Sequence, residues 1–151
     1  MALMDGELLF CDDQALTDTG TSNSTNLIDT TIGEDVWGAS RAKNPGEGGD
    51  IWLHARVTTA FASDSPATAS FQVDVYEGDA ATPNTGFTAT THSVSGLKVA
   101  SLTEGYSVFR VPLAAEVKRY LKLLFTVSGA AFTAGKITAW LSADGAGSKS
   151  T

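Results

Sequence analysis

The sequence predicts an all-β fold: a jelly-roll sandwich or barrel of about eight antiparallel strands. Three observations predict it. Apolar residues alternate with polar ones at period two in several segments, as in strands with one buried face. In 109–141 this repeats three times: Phe109, Val111, Leu113; then Leu121, Leu123, Phe125, Val127; then Ile137, Ala139, Leu141. The segments between strands are rich in Gly, Ser, Thr, Asn and Asp, which is turn chemistry. The strand spacing is the short, regular one of sandwiches and barrels. Such a chain reads as a rigid scaffold whose function lies on its surface rather than in a cleft.

In chain order, a first strand is expected over 8–16, with Leu8, Phe10, Gln14 and Leu16 on one side. The run TDTGTSNS at 17–24 reads as turn, and 25–31 as a short strand around Leu27 and Ile28. The segment 33–50, GEDVWGASRAKNPGEGGD, is the longest irregular stretch. A loop of that length in a compact domain carries function or is disordered. A strong strand follows over 51–59, with Ile51, Leu53, Ala55 and Val57 opposed to Trp52, His54, Arg56 and Thr58. Another covers 69–77, with Phe71, Val73 and Val75 on its apolar face. Weaker strands are expected over 87–94 and 97–102, and further strands over 106–113, 120–127 and 136–143. The only helical candidate is the turn at 114–118, just after Pro112. VTTAF at 57–61 and TVSGAAF at 126–132 each precede another strand, an echo of two related hairpins in a double Greek key. The expected domain spans 8–143, between a flexible arm at 1–7 and a polar, disordered tail at 144–151.

Composition bounds the function. One domain fits 151 residues. A chain of this size buries roughly 70% of its unfolded surface and needs no staples. Charged residues are 18% of the chain, mean hydropathy is +0.01, and neither suggests global disorder. The net charge is −7 and the pI about 4.6. That charge disfavours phosphate backbones and anionic membranes, and over the whole chain it points to basic partner patches. With Cys11 as its single cysteine the chain makes no internal disulfide. The first ten residues lack a basic segment and meet Asp5 and Glu7 at once, unlike a secretory signal.

Catalytic chemistry finds little support. His54 and His92 lie on different expected strands with no ligand at metal spacing, so both read as strand-surface residues and no metal or cofactor is expected. No GxSxG elbow is present. Cys11 sits beside Asp12 and Asp13, whose charge makes a thiol a poorer nucleophile. The acid pairs Asp12/Asp13, Glu34/Asp35 and Asp74/Glu77 could in principle serve glycoside hydrolysis, but read better as solvated loops and strand ends. The tryptophans are more informative. Trp52 and Trp140 fall opposite the apolar alternation, and Trp37 lies in the long loop. Large aromatics off the core face mark interfaces or sugar platforms. The candidate interface residues are Trp37, Arg41, Lys43, Trp52, His54, Arg56 and Trp140.

Three stretches carry a family resemblance. They are DDQALTDTGTSNSTNLIDT at 12–30, PGEGGDIWLHARV at 45–57 running on to FQVDVYEGD at 71–79, and LTEGYSVFRVPLAAEVKRYLKLLFTVSGAAFTAGKITAWL at 102–141. Together they cover most of the chain. They resemble the capsid cement, or decoration, proteins of the Bordetella-phage type found in many tailed phages. The segment VWGASRAKN at 36–44 departs from that pattern as an insertion. The resemblance implies a jelly roll on the capsid exterior, assembled in the bacterial host cytoplasm. It also implies a homo-oligomer, dimer or trimer, that staples neighbouring major capsid protein subunits, with no enzyme activity and no cofactor. The alternative from another class is a carbohydrate-binding β-sandwich that stacks sugars on Trp37, Trp52 or Trp140.

Overall fold

In the computed structural model, the structure describes residues 9–29, 52–82, 84–113 and 118–142. Among the described residues, nine strands run β1 Leu9–Ala15, β2 Gly20–Asn23, β3 Ile28–Asp29, β4 Trp52–Ala62, β5 Ser70–Gly78, β6 Phe87–Lys98, β7 Ser107–Pro112, β8 Tyr120–Ser128 and β9 Ala134–Ser142. They form two sheets. The first has the order β1-β9-β4-β7, and the second β2-β8-β5-β6, with β3 also paired to β8. Every pairing among the described strands is antiparallel.

The outer ladders explain the architecture. The first strand pairs with the last, β1 with β9. The next level pairs β2 and β3 with β8, then β4 with β7, and finally β5 with β6. The chain is thus one long antiparallel hairpin wound across two sheets, which is a jelly roll. The expected fold class is correct.

The core lies between the sheets where the period-two pattern put it. Leu53, Ala55 and Val57 of β4 face Phe71, Val73 and Val75 of β5 and Leu121, Leu123 and Phe125 of β8, all buried. One pole is sealed by aromatic packing. Phe61 sits 4.8 Å edge-on to Phe132 and 5.3 Å from Phe71. Connections at this pole bond to one another: Ser63 Oγ donates to the Ala131 carbonyl at 2.7 Å, and the Thr133 N–H to that of Ala62 at 2.8 Å.

Several local expectations change. Residues 20–23, read as turn, form β2, because edge pairing with β8 needs only backbone groups and Gly, Thr, Ser and Asn supply them. In the stretch read as a strand over 25–31, strand structure among the described residues is confined to Ile28–Asp29. The two strands expected over 87–102 are one strand, β6, kept continuous by irregular register against β5, and a 3-10 turn at Val99–Ser101. The paired connections after 57–61 and 126–132 are crossings between sheets rather than hairpins, since β4 and β9 lie in one sheet and β5 and β8 in the other. Their phenylalanines, Phe61 and Phe132, meet at the sealed pole. The arm at 1–7, the loop core at 33–50 and the tail at 144–151 lie outside the described residues, as do 114–117 of the expected helical turn.

Candidate functional site

The outer face of the first sheet gathers the candidates. The registers place Leu9, Trp140, His54 and Arg110 in one row across β1, β9, β4 and β7. The row above holds Ser142, Trp52 and Pro112. The row below holds Thr138, Arg56 and Ser107. Trp52, His54, Arg56 and Trp140 are therefore brought together as next-row neighbours. Trp37, Arg41 and Lys43 lie outside the described residues.

His54 is not the surface residue the alternation suggests. It is only 4% exposed, and its ring stacks on Trp140 at 5.3 Å and 15°. The reason is position. β4 is an interior strand, so its outward side chains are covered by neighbours on both β9 and β7, here Trp140 and Arg110. Trp140 and Trp52 remain half-exposed and Arg56 is exposed. The Arg56 guanidinium lies over the turn at Gly105, 3.4 Å from where a β-carbon would stand.

The edge of this face is pinned by β1. Asp13 adopts a positive φ of 47°, a conformation Asp tolerates better than most residues. Its N–H donates to Thr138 Oγ1 at 2.9 Å, and that hydroxyl donates to Asp12 Oδ1 at 3.3 Å. Cys11 behind them is buried and its thiol donates weakly to the Ile137 carbonyl at 3.6 Å. Burial pushes the Cys11 thiol up to about 12, with a smaller contribution from Asp12 and a backbone hydrogen bond opposing both. Desolvation, rather than the neighbouring carboxylates, is the main cause of that rise.

The other acid pairs are tied into the scaffold. Asp74 accepts both Gln72 Nε2 contacts, at 2.8 and 3.1 Å, and the Ser93 hydroxyl. Glu77 accepts the Lys118 N–H at 3.3 Å. Asp74 lies on the outer face of its sheet, while Glu77 follows the inward phase of Val73 and Val75. The two carboxylates thus face opposite ways and do not form a catalytic pair. Among the described residues no group of three or more His, Cys, Asp or Glu could hold a metal ion. No described helix is long and apolar enough to cross a membrane.

Sequence reasoning missed one buried cation. Lys122 of β8 is 5% exposed on the outer face of the second sheet. Its ammonium lies 4.7 Å from the Phe87 ring centre and 5.6 Å from that of Tyr76, and donates to Asn23 Oδ1 at 2.8 Å. Burial lowers its pKa from the ordinary lysine value. Asn23 Nδ2 bonds Asn84, so this group ties β2 to the connection before β6. The alternation of β8 placed Lys122 outward, but not the long-range rings that cover it.

The profile of the Bbp16 family matches residues 10–141, from β1 through β9. The chain belongs to the Bbp16 family. That is a family of Bordetella phage proteins, in agreement with the resemblance read from the sequence. The match spans the whole scaffold, including every described strand of the tryptophan-bearing face. No curated protein matches the chain.

Proposed function

We propose that this Bbp16-family chain is a non-enzymatic structural protein of the phage virion, which binds the outside of the capsid and cements neighbouring major capsid subunits. The observation that carries the reading is the family match over 10–141, because it follows the scaffold rather than a local reactive motif. The described acid pairs support it, since Asp12, Asp74 and Glu77 are engaged in the fold's own hydrogen bonds. A rigid jelly roll with half-exposed tryptophans on one sheet suits repeated weak contacts that gain strength by avidity. The protein acts as a dimer or trimer, which covers exposed strand edges.

The test is co-sedimentation with heads purified from a phage lacking this gene. The full chain pellets with expanded heads and not with free capsid subunits, because its site straddles subunit boundaries. Versions lacking 1–7 or 36–50 bind more weakly. Bound heads resist heat better, by mass action on the assembled state. A full chain that leaves heads untouched, yet is retained by a polysaccharide column, replaces this reading with the carbohydrate-binding one.

A further inference from the structure

Among the described residues, charge is not spread as the chain total suggests. The sequence holds 17 acidic and 10 basic residues. Yet β4, β7 and β9, the three contiguous strands WLHARVTTAFA, SVFRVP and AGKITAWLS, contain no Asp or Glu. They carry Arg56, Arg110 and Lys136, all exposed. The acids of this sheet, Asp12 and Asp13, sit on β1 at its border. The same face holds the half-exposed Trp52 and Trp140, and Trp140 is fixed in place by its stack on the buried His54.

The outer face of the second sheet is different in kind. Its polar groups answer one another: Gln72 with Asp74, Asp74 with Ser93, Ser70 with Ser128 at 2.7 Å. Aromatic and cationic groups also meet in this sheet, but Lys122 is buried among Phe87, Tyr76 and Asn23, and Arg119 beside Tyr120 is paired with Asp29. Aromatic and arginine side chains held rigidly together are the composition of binding hot spots, and a basic face selects an acidic partner.

We propose that the outer face of the β9-β4-β7 ladder is the docking face of this protein, and that it takes an acidic patch of a head-shell protein. This rests on the capsid reading above and names the contact and its chemistry. It reverses the sign that the whole-chain charge suggests: the molecule is acidic, but the face that docks is basic. Trp52 and Trp140 supply contact area, and His54 holds Trp140 from behind. Arg56 and Lys136 meet the partner's carboxylates. Asp12 and Asp13 repel the same carboxylates at one border and so set the orientation.

The experiment compares two variants of the full chain on the same heads. One is Arg56→Glu with Lys136→Glu. The control is Lys98→Glu with Thr21→Glu and Thr88→Glu, which changes net charge equally on the second sheet. All five positions are exposed, so melting temperature and circular dichroism stay as in the parent. The face variant loses at least about tenfold in apparent affinity for heads, and the control loses less than about threefold. Trp52→Ala weakens binding in the same assay with the fold intact. Equal binding by the face variant and the parent overturns the assignment while leaving the capsid reading standing. Equal loss in both variants also overturns it, because total charge and not this face would then decide. A face variant that binds heads normally but changes oligomeric state by light scattering shows instead a surface between copies of the chain. A parent that does not pellet with heads removes the capsid reading itself.

Discussion

Two glycines offer a sharp test of how the sealed pole is built. Gly129 and Gly20 both hold positive φ, +80° and +112°. Alanine at either position bears a backbone strain of about 1–2 kcal/mol. The surroundings differ. A β-carbon on Gly20 meets nothing within 4 Å, whereas one on Gly129 stands 2.8 Å from the Thr68 carbonyl carbon and nearer still to its oxygen. Contact is ordinary only from 3.4 Å, and the oxygen is the closer atom, so the Thr68 peptide must retreat by well over the 0.6 Å that its carbon alone requires. That movement separates the two connections joined by Ser63–Ala131 and Thr133–Ala62. With about 1 kcal/mol for each hydrogen bond weakened, Gly129→Ala costs about 3–4 kcal/mol in all, and Gly20→Ala only the strain. A chain of this size shifts its melting temperature by about 2–4 °C per kcal/mol, so the two variants should melt at least about 4 °C apart. Thermal unfolding followed by far-UV circular dichroism reads the difference. Equal shifts would refute the tight approach of the two connections.

Other expectations follow from buried groups. Cys11 should resist a thiol reagent at pH 8 in the native protein and react at once in denaturant; rapid native labelling would contradict its burial. Its folded pKa is raised, so the stability it contributes is present below the ordinary thiol value near 9 and is lost as pH climbs toward about 12. Cys11→Ala should therefore flatten the alkaline loss of stability in denaturant titrations. Lys122→Met should hold stability within about 1 kcal/mol, because an apolar replacement of a buried charge removes desolvation along with the cation–ring contacts. Lys122→Glu should cost more than about 3 kcal/mol by placing an anion over ring faces, and a neutral result in urea unfolding would count against the cage. The lysine pKa is lowered, so its charged form costs stability below that lowered value, and the cost fades as pH approaches 10.5. Lys122→Met should remove that rise.

The interior of the fold was legible because it obeys a local rule. Leu53, Ala55 and Val57, or Leu121, Leu123 and Phe125, alternate in the chain and are buried in space. What a strand's neighbours do is not local. His54 and Lys122 both stand on the outward phase, and both are covered, one by Trp140 and the other by Phe87 and Tyr76. Only the pairing of distant strands reveals that. The proposed docking face was half visible. Trp52, His54, Arg56 and Trp140 were legible as outward residues, while Leu9, Arg110, Pro112 and Lys136 needed the registers that set them alongside. A strand-by-strand count of charge would have found the acid-free ladder, which the chain total conceals. The short β2 escaped because it has no apolar alternation and depends on β8 for its backbone partners.

The pairing of β1 with β9 also orders events in time. The first strand finds its partner only when residues 134–142 exist, so this ladder cannot form before they are made. The same late strand is the interior neighbour of β4 and carries Trp140 onto the face that holds His54. Such distant pairings fold slowly, with sheet edges exposed meanwhile. A chain interrupted before residue 134 leaves β1 without its partner and has no stacked tryptophan to present. Only a chain that includes residues 134–142 can present this face.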